Sequence, residues 1–132
     1  MKIIFASIIF LILSTNFLFA QAHYNTNFRE IWSYNTLTKQ KTLVERKDIA
    51  TEITSDRSVF KFNPGYKLLV GCAIESDPIR EDGALNMNVQ GTDGFKYLLK
   101  ISEKNFTLVC TQAVKNKMTI IKYGITKVWI DK

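Results

Sequence analysis

The chain has 132 residues, 46% of them hydrophobic, and 18 basic against 12 acidic side chains give it a formal charge of +6. That apolar content excludes an intrinsically disordered polymer, and the length excludes more than one domain of ordinary size. One histidine and two cysteines are too few for a closed tetrahedral zinc shell or a three-ligand open one.

Met1-Lys2 is followed by an uncharged run from Ile3 to Phe19 and then by Ala20-Gln21-Ala22. A positive start, an apolar stretch and small residues at the end are the pattern of a secretory signal peptide. The sequence therefore predicts a leader over 1–22, cut after Ala22 or after Ala20, and a single domain over 23–132. An uncleaved anchor is the competing reading, because the run approaches the ~20 residues that cross a bilayer. No second long apolar run follows, so the mature form is expected not to span a membrane and to be secreted or periplasmic. Removal of 1–22 takes away Lys2 and no acid, which leaves 17 basic and 12 acidic residues, a charge of +5.

The stretch from Phe28 to Thr38 is ambiguous. Phe28, Ile31 and Trp32 have helical spacing, whereas Phe28, Glu30, Trp32 and Tyr34 share one strand face; the abundance of Trp, Tyr, Thr and Asn favours a strand. Trp32 is then expected to plug one end of the core. Further strands are predicted at 41–46, 48–54 and 57–62. Between 66 and 74 alternation puts Tyr66, Leu68, Val70, Cys72 and Ile74 on one face. Glu75, Asp77, Glu81 and Asp82 follow in an acidic stretch whose spacing does not match a calcium loop and whose plainer reading is a solvated connection. Leu85, Met87 and Val89 alternate with Asn86, Asn88 and Gln90; Phe95, Tyr97, Leu99 and Ile101, and then Phe106, Leu108 and Cys110, alternate with a mixed face that includes Leu98 and Val109. The chain closes with strands at 117–123 and 125–130, split near Gly124.

Turn residues separate these runs, at Asn63-Pro64-Gly65, Asp82-Gly83, Gly91-Thr92-Asp93-Gly94, Ser102-Glu103-Lys104-Asn105 and Lys115-Asn116-Lys117. Strands joined by short reversals, with no helical pattern between them, exclude a parallel α/β sheet. They predict an all-β fold: an antiparallel meander of about eight strands forming a small barrel or a sandwich.

Cys72 and Cys110 both fall on apolar faces. In an oxidising compartment such a pair is expected to form a disulfide, with two free buried thiols as the alternative. His23 lies at the expected new N-terminus, where a side chain is too mobile to serve as a general base. No glycine-rich phosphate loop, metal cluster, cofactor signature or specific nucleic-acid motif stands out. Two binding surfaces are suggested instead. Leu68, Val70, Tyr97, Leu99 and Phe106 would line a barrel interior able to hold an apolar small molecule. Lys96, Lys100, Lys115, Lys117 and Lys122, with Tyr123 and Trp129, would form a basic surface for an anionic surface or protein. The expected function is a non-catalytic binding or interaction module; the alternative is a secreted carboxylate-based hydrolase, for which no particular pair of acids is singled out.

Overall fold

The computed structural model describes residues 21–56 and 58–131. The expected leader lies outside the described residues except for Gln21 and Ala22, which belong to the first strand. Ten antiparallel strands run in order: β1 (Gln21–Asn35), β2 (Lys41–Lys47), β3 (Thr51–Asp56), β4 (Val59–Tyr66), β5 (Leu69–Ile74), β6 (Ile79–Glu81), β7 (Ala84–Gly91), β8 (Lys96–Ile101), β9 (Asn105–Cys110) and β10 (Lys117–Asp131). No helix occurs among the described residues. Neighbours in the sheet follow the order β10-β9-β8-β7-β5-β4-β3-β1, and β1 also pairs with β10. Eight strands thus close into an up-and-down barrel, the closed form of the expected meander, with no free edge along that ring. The two remaining strands are additions: β6 pairs with the start of β7, and β2 pairs with the second half of β1.

The closing strand is continuous but not regular. Ala22, Tyr24 and Thr26 are buried in its first half, and Arg29 and Ile31 in its second, so the inward phase changes between Thr26 and Arg29. The ladder to β10 shifts register at that place, the signature of a β-bulge. The bulge turns the strand: residues 22–26 pair with β3, whereas residues 29–34 leave β3 and pair with β2. Gly124 lies on β10 within the same irregular stretch, and the Phe28 ring occupies the space where its side chain would be. Arg46 of β2 then covers Phe28, with its guanidinium 4.3 Å from the ring centre.

The inward faces of β7, β8 and β9 carry Leu85, Met87 and Val89; Tyr97, Leu99 and Ile101; Phe106, Leu108 and Cys110, as alternation assigns them, but Phe95, expected on the same face, precedes β8 and is 39% exposed. An aromatic cluster from four strands fills the barrel around Phe106. Its ring centre lies 5.6 Å from Tyr24, 5.4 Å from Phe60, 5.9 Å from Phe62 and 6.4 Å from Tyr123. Most of these pairs meet edge to face, an arrangement worth about 0.5–1.5 kcal/mol per pair beyond burial itself.

Four expectations are corrected. Leu68 and Val70 are 75% and 52% exposed and do not line the interior. Leu68 is at the tip of a tight turn between the paired residues Tyr66 and Leu69, and the inward positions of β5 are Leu69 and Cys72. These are three apart, an odd step that accompanies the register shift on β4 between Lys61 and Tyr66. Trp32 does not plug the core, because it follows Ile31 and so faces outward, half-buried. His23 is not a mobile end: it is paired to Thr54 on one side and Trp129 on the other. Finally, Cys72 and Cys110 are both buried and both free. Strands β7 and β8 stand between β5 and β9, and three steps of about 4.8 Å each hold the two α-carbons beyond the ~7 Å that a disulfide tolerates.

Two outcomes test this architecture. Replacement of Gly124 by Ala, which sets a methyl against the Phe28 ring, should lower stability by about 1–3 kcal/mol in urea unfolding, and the cost should shrink when Phe28 is also replaced by Ala. In an Ellman assay the native protein should expose almost no thiol, the denatured protein should titrate two, and a reductant should leave the melting temperature unchanged.

Candidate functional site

A cavity of about 500 Å³ opens at one end of the barrel. It exists because the bulge lets β1 run on past the ring of strands together with the start of β10. With β2 these form a three-stranded flap over one side of the mouth. Ile31 and Ile121 lie against the cavity at the base of the flap, and Val44 reaches it from β2. Across the ring, the β4–β5 turn contributes Tyr66, Lys67 and Leu68. The β7–β8 turn adds Asp93 and Phe95, and the loop after β9 adds Gln112 and Val114. Below this mouth the aromatic cluster closes the barrel, so the concavity is a cup and not a channel.

The polar groups in the cup are few and mostly engaged. Tyr97 donates its phenolic hydrogen to Asp93 Oδ2. Asp93 Oδ1 accepts the Phe95 backbone N–H at 3.1 Å. Burial first, then the bond to Asp93 and its charge, raises the Tyr97 phenol above its ordinary range, so it remains a neutral donor. Gly91 makes room for this pair: a side chain there would stand 2.9 Å from Tyr97 Cε1 and against Asp93 Oδ1. Cys110 also lines the cup and points its thiol at the Gln112 carbonyl, 3.4 Å away. Cys72 is in the core, where burial and then the nearby Asp93 push its thiol up to about 12, far from the thiolate a nucleophile needs.

One layer deeper, Arg29 is buried at the seam where β1 parts from β3. Its guanidinium lies 4.6 Å from the Tyr66 ring centre and 3.3 Å from Glu45 of the flap, which ties the two sides of the seam together. Its Nε and the Tyr123 hydroxyl have no hydrogen-bond partner. Burial, only partly offset by the Arg29 charge, pushes the Tyr123 phenol up to about 12.

The residues proposed from sequence to line an interior site are therefore divided. Tyr97 and Leu68 border the cup, Leu99 and Phe106 belong to the filled barrel, and Val70 faces solvent. Ile31, Tyr66 and Ile121 went unrecognised. Ile31 lies in the stretch whose spacing fits helix or strand; alternation assigns Tyr66 to the apolar face of 66–74 and Ile121 falls in the strand 117–123, but neither is singled out for a site.

The basic residues divide as well. Lys100 and Lys122 flank Thr107 in one outward row that continues through Glu30 to Arg46. The next outward row is apolar across five strands: Leu98, Val109, Ile120, Trp32 and Leu43 are successive cross-strand partners. Lys41 lies over the Trp32 ring at 4.5 Å, and Lys96 at the other end pairs with Glu75 at 3.3 Å. Glu30 is the acid of the row that holds Lys122 and Arg46. Burial opposes its ionisation, but hydrogen bonds from Trp32 and Arg46 and the charges of Lys122 and Arg46 outweigh it and hold the carboxyl below its ordinary value. Lys115 is in a tight turn with positive φ, and Lys117 borders the cup instead of the outer band. Neither expected aromatic joins the band: Tyr123 is buried in the barrel and Trp129 stacks on His23 at 4.8 Å.

His23 is oriented by Asp131, whose Oδ2 is 2.6 Å from Nε2, and it is 3.5 Å from Thr54 Oγ1. This Thr-His-Asp line faces outward, remote from the cup. Among the described residues Asp93 is the one carboxylate that borders the cup. Among the described residues no three His, Cys, Asp or Glu side chains converge as a metal ion would require. No protein-family model matches the chain, and comparison with curated proteins and with solved structures gives no significant match.

Proposed function

We propose that the protein is an exported, non-catalytic binding module that holds the apolar part of a small molecule in the cup at the barrel mouth. The observation that carries this reading is the contrast within one barrel: a core packed with five aromatic rings beneath an open cavity of about 500 Å³ walled chiefly by apolar side chains. That volume falls within the ~300–1,000 Å³ of small-molecule sites, and an eight-stranded barrel is just wide enough for one small ligand. Exposed Val44, Leu68, Phe95 and Val114 cluster around the opening, where binding would remove them from water. Export rests on the Lys2 start, the uncharged run and Ala20-Gln21-Ala22. A hydrolase using paired carboxylates is the weaker reading, because Asp93 has no second acid beside it in the cup.

The environment-sensitive dye N-phenyl-1-naphthylamine should bind saturably at one site with a fluorescence increase. Replacement of Ser33, which borders the cup, by Trp should weaken that binding by about tenfold or more through loss of volume, with the protein still folded by circular dichroism. Dye that does not saturate, or that binds the Ser33→Trp protein as well, overturns the reading.

A second surface supports the anionic-partner reading. The outer row of Leu98, Val109, Ile120, Trp32 and Leu43 is bordered by Lys100, Lys122, Arg46 and Lys41, an apolar band with a cationic edge. Such an edge attracts anionic partners at low ionic strength and loses that attraction within a Debye length of about 8 Å in physiological salt. Retention on heparin-coated resin should fall when Lys100 and Lys122 are both replaced by Gln. Equal retention would assign the binding elsewhere.

A further inference from the structure

We infer that the ligand of the cup is a single-chain amphiphile with an anionic head group, its chain buried in the cup and its head held at the opening between Lys67 and Lys117. The inference rests on the cup being a ligand site and adds the chemistry of what enters it.

Lys67 and Lys117 both border the cavity. They come from the β4–β5 turn on the ring and from the start of β10 on the flap, two different elements of the cavity wall. Among the described ion pairs neither lysine has a carboxylate partner, whereas Arg29, Arg46, Lys96 and His23 each have one. Lys67 instead rests over the Tyr66 ring at 5.2 Å, which keeps its ammonium at the mouth. The one acid in the wall, Asp93, is already occupied by the Tyr97 hydroxyl and the Phe95 N–H and is held on the wall by them. The opening therefore presents two lysines without an ion-pair partner and one carboxylate bonded to neutral donors, a net positive rim on an apolar hollow. Lysine does this well, since its stem packs on apolar surface while its ammonium reaches water.

The depth of the cup favours one orientation. Its inner end is Ile31 and Ile121 above the aromatic layer, and beyond them Arg29 is engaged by Glu45 and the Tyr66 ring, with only its Nε and the Tyr123 hydroxyl left without a partner. A charged head driven inward would lose all its water to reach those two donors beside a cation that Glu45 already balances, whereas a chain driven inward loses only apolar contact with water. A second copy of this chain is a poor occupant, because two such rims would bring lysine against lysine. The volume suits one acyl or alkyl chain in place of a two-chain lipid. A carboxylate and a phosphate ester share the required chemistry, and the two are separated below.

The test is competition against N-phenyl-1-naphthylamine by laurate, dodecyl phosphate and dodecanol, which share one chain length and differ in the head. At low salt at least one anion should displace the dye at about tenfold lower concentration than dodecanol, and the better of the two identifies the head as carboxylate or phosphate ester. In the Lys67→Gln/Lys117→Gln protein the advantage should fall to within about twofold. A charge-matched control, Lys61→Gln/Lys104→Gln, removes two exposed lysines remote from the cup and should keep the full advantage. Dodecanol that competes as well as both anions, or an anion advantage that survives in the Lys67→Gln/Lys117→Gln protein, overturns the head-group inference while the cup stands. Failure of the dye itself to bind removes both.

Discussion

The pairing of β1 with β10 is the constraint on which the other features depend. It joins the first strand to the last over their whole lengths and converts an open meander into a ring. Without it two 15-residue strands would each expose a row of unpaired backbone groups, a ready template for association with other chains. Closure also makes the interior finite. Eight strands leave room for little more than side chains, and the sequence supplies large ones to fill it: Tyr24, Phe60, Phe62, Phe106 and Tyr123. Because these rings come from β1, β4, β9 and β10, they tie strands that are distant around the ring as well as neighbours.

The same closing strands create the opening. They are longer than the strands they face, and the bulge near Phe28 and Gly124 bends them so that their free ends continue as a flap instead of extending the cylinder. Strand β2 then takes up the edge that β3 leaves, and Arg29 bridges the seam to Glu45 and Tyr66. The cup is thus a geometric consequence of a length mismatch between two strands and their partners. Its apolar walls follow from the alternation that fills the core below, since Ile31 and Ile121 carry the inward faces of β1 and β10 up to the cavity.

Much of the fold was legible in the sequence because period-two alternation and turn chemistry agreed over β7, β8 and β9. There Asp82-Gly83, Gly91 to Gly94 and Ser102 to Asn105 separate regular pleats. Legibility failed where the backbone departs from a regular pleat. Extrapolation through 66–74 put Leu68 and Val70 inside, but the shift between Lys61 and Tyr66 moves the inward position to Leu69, and nothing in the local apolar pattern distinguishes Leu69 from Leu68. The disulfide failed for a related reason. Alternation places a side chain on a face; it does not say how many strands separate two residues that share it, and here β7 and β8 intervene. The basic surface was half legible: strand parity alone puts Lys96, Lys100 and Lys122 outside. The apolar row beside them is assembled from five strands by register, which no single segment encodes.

The two candidate surfaces share strands, and this limits how either can work. Trp32 and Ile120 face outward in the apolar band, while their chain neighbours Ile31 and Ile121 face inward onto the cup. The flap is therefore a single layer with one side on each candidate surface, and its β2 strand is exposed along its entire length. A ligand chain lying on Ile31 and Val44 would press on the inner side of that layer, and a partner covering Trp32 and Leu43 would press on the outer side. Coupling between the two needs no long pathway: it requires only that the flap have more than one position, with Arg29, Glu45 and Tyr66 as the contacts that hold the position seen here.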